Sequence, residues 1–125
     1  MNFLSTYSIA ATGMDAQARR MRMISENIAN ADTPGFRRKM LEFAETVDRK
    51  GVEVRGVMLD DAELPQVYDP GHPMANQDGY YLGSNVELVL EIADAREASR
   101  SYEANLRMFD QARTMSSQLL DLLKR

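Results

Sequence analysis

The side chains best suited to chemistry gather around the chain's one histidine. His72 lies close in sequence to Asp69 and Asp78, and an imidazole with two carboxylates is a minimal acid–base or metal-binding set. The competing reading is a shaped turn, because Pro70, Gly71 and Pro73 surround that histidine. Asn76-Gln77-Asp78-Gly79 has the middle of a calcium loop, D-x-[DN]-x-[DN]-G-x5-E. With Gly79 as the loop glycine, however, Met74 and Asn85 fall where the first and last carboxylate ligands belong, and the calcium reading fails. Arg19-Arg20-Met21-Arg22 and Arg37-Arg38-Lys39 are short basic clusters without the interleaved aromatics of a single-strand binder. They read as a solvated helix face or an inter-subunit contact. No phosphate loop, G-x-G-x-x-G, G-x-S-x-G or H-E-x-x-H occurs, and one His without Cys offers no triad or zinc site. The residues point away from an enzyme, from a cofactor and from a small-molecule substrate.

Whatever their role, these residues sit on a chain of 125 residues and 14.1 kDa, room for a single domain. A net charge of −4 argues against a general nucleic-acid binder. Charge is unevenly spread. Residues 1–40 carry six basic and three acidic groups, residues 41–85 three and nine, and residues 86–125 six and seven. All four prolines lie between 34 and 73, and all glycines but Gly13 lie between 35 and 83. The chain therefore divides into an N-terminal helix (1–33), a breaker-rich centre of loops and short strands (34–83) and a C-terminal helix (84–125). Met1–Met14 is too short and polar to span a bilayer and lacks the layout of a Sec signal peptide.

Phe3, Tyr7, Ala10, Met14, Gln17, Met21, Ile24 and Ile28 recur at alternating spacings of three and four, one stripe of an amphipathic helix. Thr33-Pro34-Gly35 must stop it near Asn30. The second helix is expected from a capping box, Ser84-Asn85-Val86-Glu87. Its stripe runs Leu88, Ile92, Ala95, Ser99, Tyr102, Leu106 and Phe109, then drifts to Met108, Ala112, Met115, Leu119 and Leu122. Lys124 and Arg125 complement its C-terminal dipole. In the centre, Val52–Leu59 reads as one or two short strands and Tyr68-Asp69-Pro70-Gly71-His72-Pro73 as a rigid turn. The fold class is mainly α, with long terminal helices pairing as an antiparallel coiled coil around a small irregular or β segment. So small a centre cannot cover both stripes, and the chain is expected to finish its core on assembly. Of nine methionines, Met14, Met21, Met108 and Met115 lie on or beside the stripes, as plain core or as adaptable packing against unlike neighbours.

Ser25-Glu26-Asn27-Ile28-Ala29-Asn30-Ala31-Asp32-Thr33-Pro34-Gly35-Phe36-Arg37 resembles the S-x-N-[IL]-A-N-x-x-T-P-G-[FY]-[KR] signature of bacterial flagellar rod and hook proteins. Tyr68–Pro73, with Ala75-Asn76-x-Asp78-Gly79-Tyr80 and Asn85-Val86, is similar to the proximal rod branch of that family, as is Ala98-x-Arg100-x-Tyr102-Glu103-Ala104-Asn105. Glu91-Ile92-Ala93-Asp94-Ala95 departs from it, where the family would have a Met-rich stretch. Physically, Pro34-Gly35 is a helix stop, Asn27 and Asn30 can bond backbone groups freed at the helix end, and Phe36 can fold back as an apolar anchor.

The resemblance implies a structural subunit of the rod, the drive shaft that crosses the periplasm. Such proteins leave the cytoplasm unfolded through the flagellar type III export apparatus, without a cleaved signal peptide. Their terminal helices line the inner tube, and a proximal member touches the B-, F- and G-type rod proteins, FliE and the inner-membrane ring. Inter-subunit packing would then use Tyr7, Met14, Met21, Ile24 and Ile28 on the first helix. On the second it would use Tyr102, Leu106, Phe109, Met115, Leu119 and Leu122. The signature turn (Asn27, Asn30, Thr33, Pro34, Gly35, Phe36) would meet neighbouring subunits. An aromatic followed four residues later by an apolar residue marks export in the family. Phe43-x-x-x-Val47 fits it, but so do Phe3/Tyr7 and Phe36/Met40. A cytosolic coiled-coil adaptor or export chaperone is the rival reading.

Overall fold

In a computed structural model, described over residues 2–124, the order of elements is α1 (Phe3–Ala29), β1 (Lys39–Glu45), β2 (Val52–Leu59), β3 (Gln66–Tyr68), β4 (Tyr80–Leu82) and α2 (Leu88–Leu123). The two helices, about 40 and 54 Å long at 1.5 Å per residue, pack against each other more extensively than any other pair of elements. They run antiparallel: Tyr7 near the start of α1 meets Phe109 late in α2, and Arg20 further along α1 meets Glu97 earlier in α2. The expected mainly helical architecture with a small strand-containing centre is the one observed.

Asn2 caps α1, its side chain accepting from Ser5 N–H at 2.8 Å. At the other end Asn30 N–H reaches back to the carbonyls of Glu26 and Asn27, and Gly35, at φ +74°, turns the chain away. The expected stop is therefore met. The start of α2 is not. Glu87 is the N-cap, without a side-chain cap bond, and the Ser84 hydroxyl accepts from Val86 N–H instead of closing a capping box. The cause is Asn85. Its side chain bonds Arg38 N–H and the carbonyls of Asp60 and Ala62, which holds the backbone extended until Glu87. Lys124 is the C-cap of α2, and Arg125 lies outside the described residues.

The helix seam is built from small residues. Ala10, Gly13, Ala16, Ala98 and Ala112 are buried, and a Cβ on Gly13 would stand 2.6 Å from the Asn105 amide. Close approach along this face turns the larger apolar side chains of α2 outward: Leu88, Ile92, Leu106, Met115, Leu119 and Leu122 are all exposed. The expected apolar stripe of α2 is thus largely a surface. Because α1 is nine residues shorter, the last turns of α2 also project past its partner.

β1 and β2 form an antiparallel hairpin with a bulge between Glu42 and Phe43. It lies along α1, tied at its tip by Ser8 Oγ donating to Lys50 O and by Val52 N–H donating to Thr12 Oγ1. β2 matches the expected Val52–Leu59 strand. β1 has no strand signal of its own: Lys39–Glu45 contains no β-branched residue and is rich in helix formers, and its pairing with β2 makes it a strand. β3 and β4 form a second, three-residue pair.

Candidate functional site

The signature turn is where the chain's polar groups converge. Asn27, buried on the inner face of α1, accepts from Lys39 N–H and donates to Lys39 O, both at 2.9 Å. Its side-chain amide thus stands in for a neighbouring strand at the edge of β1. That role differs from the expected one: Asn27 bonds the strand after the turn, whereas Asn30 does serve the helix end, donating to Glu26 O and accepting from Thr33 Oγ1. Buried on the face toward β1, the Asn27 amide cannot reach its own helix terminus.

Past the turn, the backbone of residues 35–38 is laced to the segment leading into α2. Gly35 N–H donates to Leu82 O, Asn85 N–H to Phe36 O, and Arg38 N–H to Asn85 Oδ1 at 2.6 Å. Arg38 is the hub. Its Nε donates to Glu91 Oε1 at 2.6 Å, and its terminal nitrogens reach Asp60 at 3.3 Å and Asp94 at 3.4 Å. Arg20 of α1 reaches Asp94 and Glu97 from the other side. Glu91 is 0% exposed, and its Oε2 has no partner among the described residues. It lines a cavity of about 120 Å3 with Arg20, Asn27, Arg38 and Met40. The hydrogen bond to Glu91 foremost holds the Arg38 guanidinium above its ordinary basicity. Asp60 sits below the ordinary carboxylate range, chiefly through the Ala62 N–H, with Arg38 adding to the effect against some desolvation.

Arg38 belongs to a basic cluster expected to be solvated or to meet another subunit, and the structure instead ties it within the chain to Glu91, Asp60 and Asp94; Asp60, Asn85, Glu91 and Asp94 were not expected as site residues. Their only signal is that three stand in or next to motif segments, and nothing local announces that a glutamate on an amphipathic helix faces inward.

Tyr68–Pro73 forms the turn its composition demands. Asp69 N–H donates to Gly79 O, His72 N–H to Asp69 O and Ala75 N–H to His72 O. His72 Nδ1 accepts from Met74 N–H, and its ring stacks on Tyr81 at 4.0 Å between centroids. Tyr68 packs on Tyr80, and Gly79, at φ +86°, leaves room that a Cβ would take from Tyr68 and Pro70. Each feature of His72 serves the turn; among the described residues no group of three His, Cys, Asp or Glu is placed to hold a metal.

The stripe residues divide into two sets. Ile24 is buried inside the chain, and Tyr7, Met14, Met21, Tyr102 and Phe109 are half-buried, with Tyr7 edge-on to Phe109 at 5.0 Å. Ile28, Leu106, Met115, Leu119 and Leu122 are exposed and available to a neighbour. In the signature turn Thr33 and Gly35 are exposed, Pro34 and Phe36 half-buried. Phe43 lies on β1, whereas Val47, 97% exposed, lies at the hairpin tip.

A helix pair with a small-residue seam, an outward apolar surface and a polar knot at a Pro-Gly turn is an assembly module. Comparison with known proteins agrees. Residues 8–37 match the family described as flagella basal body rod protein, and residues 77–122 match flagellar basal body rod FlgEFG protein C-terminal. Among curated relatives, the flagellar basal-body rod protein FlgC of Agrobacterium fabrum is 42% identical, over 93% of this chain and 91% of its own. That of Salmonella typhimurium is 33% identical over 98% of each, and that of Borreliella burgdorferi 32% over 99% of each. The chain belongs to the FlgC family of flagellar basal-body rod proteins. That is a family of structural subunits and not of enzymes.

Proposed function

We propose that this chain is a subunit of the proximal rod of the flagellar basal body, transmitting torque as part of the drive shaft and lining the export channel with its helix pair. The observation that carries the reading is the exposed apolar surface of α2, continued on α1 by Ile28. A side chain of leucine size is worth about 1.5–3 kcal/mol when fully buried. Each half-exposed leucine of this surface therefore leaves about 1 kcal/mol to be gained on contact with a neighbour. Torque is then carried by many shared seams and by no single site. Ile28, Leu106, Met115, Leu119 and Leu122 meet other subunits directly. Tyr7, Met14, Met21, Ile24, Tyr102 and Phe109 hold the pair that presents them. The turn at Asn27, Asn30, Thr33, Pro34, Gly35 and Phe36 joins helix to hairpin, and the Tyr68–Pro73 turn is a structural knob.

The family supports assembly with other basal-body components. The partners proposed here are the B-, F- and G-type rod proteins, FliE and the inner-membrane ring. The subunit reaches the periplasm unfolded through the flagellar type III export apparatus, without a cleaved signal peptide. Phe43 and Val47 are one of three segments able to serve as its export motif. Cell fractionation with and without a working export apparatus tests the reading. Protein in purified basal bodies, retained in the cytoplasm when export is blocked, is the expected result. Protein soluble in the cytoplasm of both strains would overturn it in favour of an adaptor or chaperone.

A further inference from the structure

An antiparallel strand turns alternate backbone groups toward its partner and the rest away. In the first hairpin Asp60 N–H donates to Arg38 O at 2.9 Å, so Met40 and Met58 are bonded across the ladder while Val57 and Leu59 point outward from β2. In the second pair, Asp69 N–H donating to Gly79 O and Gly83 N–H donating to Pro65 O leave Gln66 and Tyr68 pointing outward from β3. Several other outward groups are occupied. Asn27 takes those of Lys39, Thr12 that of Val52, and Gly35 that of Leu82. The edge of β1 faces inward, where Leu41 and Phe43 line the cavity at Glu91. The outward backbone groups of Val57, Leu59, Gln66 and Tyr68 have no hydrogen-bond partner among the described residues. The side chains beside them are bare as well: Val57 is 55% exposed, Leu59 58% and Tyr68 64%. An open, apolar strand edge is a template for another strand.

We propose that these two edges pair across subunits, β2 of one copy against β3 of a second copy, antiparallel. The proposal rests on the rod-subunit reading. Within one chain β2 and β3 make no contact, so neither edge can satisfy the other internally. One register satisfies both. Val57 opposite Tyr68 and Leu59 opposite Gln66 join all the outward N–H and C=O groups in four backbone hydrogen bonds. The same register sets Val57 against Tyr68 on one face and Met58 against Val67 on the other, β-branched residues beside an aromatic or a thioether. It also brings Arg55, whose one ion-pair partner among the described residues is Glu53 at 3.7 Å, beside Asp69 of the other copy. The contact uses different surfaces on its two sides, so it continues from copy to copy as a ring or helix requires.

The chain has no cysteine, which allows a clean test. Two double variants, Val57→Cys with Tyr68→Cys and Met58→Cys with Val67→Cys, place thiols on opposite faces of the same register. Paired strands hold opposite Cα atoms about 4.5–5.5 Å apart, within disulfide reach, while the separation of β2 from β3 inside one chain forbids an internal bridge. Each double variant, oxidised in purified basal bodies and run without reductant, is expected to give a ladder of dimers and higher species. Each single-cysteine chain should give none. Basal bodies that contain the chain but yield no ladder with either pair would overturn the edge pairing alone, as would a ladder from the single variants or a cross-link to a different rod protein. Absence of the chain from basal bodies, scored on the same preparation, would overturn the rod reading and this proposal with it.

Discussion

Removing the Arg38 side chain as Arg38→Met should cost the fold about 3 kcal/mol. The figure follows from what is left behind. Glu91 is 0% exposed, and among the described residues its Oε2 has no partner and Arg38 Nε supplies the one hydrogen bond to Oε1. Without Arg38 the carboxylate is buried with neither oxygen bonded. Breaking a buried pair from one side costs about 3–5 kcal/mol, because the surviving charge is uncompensated. The lower end applies here because Arg38 itself is 22% exposed and its contacts to Asp60 and Asp94 are long and partly screened. Glu91→Met should cost less, about 1 kcal/mol, since Arg38 keeps Asp60 and Asp94 as partners. The double variant should be more stable than Arg38→Met alone, because no orphaned carboxylate remains. Urea unfolding of the purified chain, followed by far-UV circular dichroism, reads all three. With a slope of about 1–3 kcal/mol/M, Arg38→Met should lower the midpoint by about 1–3 M. If Arg38→Met stays within about 0.5 kcal/mol of the parent, or the double variant is the least stable of the set, the Arg38–Glu91 pair is not what joins the turn to α2.

Asn27→Asp keeps the shape of the side chain but turns an acceptor toward Lys39 O in place of the donor at 2.9 Å. It should cost about 1–3 kcal/mol in the same unfolding assay, whereas an exposed asparagine such as Asn76 should tolerate a similar exchange far better. The lowered pKa of Asp60, set first by the Ala62 N–H, gives a pH signature. A carboxylate held below its ordinary value of 3.8 contributes stability that is fully present above that value and lost as pH falls through its folded value. The parent should therefore lose stability as pH falls below about 4, and Asp60→Asn should be less stable than the parent near pH 7 and flatter through the acid limb, the two curves converging at low pH. Leu106→Asp and Ile28→Asp sit on exposed positions, so each should leave the isolated fold intact while abolishing rod assembly and motility. His72→Ala loses a stacking contact and one turn bond and should leave any assembled rod able to rotate, as a motility assay would show.

The Pro-Gly stop at 34–35, the breaker-poor ends and the apolar periodicity were enough to place α1, the bulk of α2 and the irregular centre. These are local matters. A proline has no N–H to give and a glycine accepts positive φ wherever it stands. The rod signature was equally legible, since its thirteen residues are contiguous.

What tertiary structure decided begins with which face is the inside. The apolar stripe of α2 fits a core-facing seam by periodicity alone, yet Tyr102, Phe109 and Ala112 turn inward beside the off-stripe Ala98, while Leu106, Met115, Leu119 and Leu122 stay on the surface. The start of α2 was decided the same way. Ser84 and Glu87 have the residue types of a capping box, but Asn85 is held by Arg38 N–H, 47 positions earlier in the chain. The knot around Arg38, Asp60, Glu91 and Asp94 spans 56 residues, and each member alone is an ordinary surface charge. Short-range patterns record what the backbone can do next. Which charges meet, which helix face closes and which strand edges stay open depend on contacts between distant segments, and those exist only once the chain has folded.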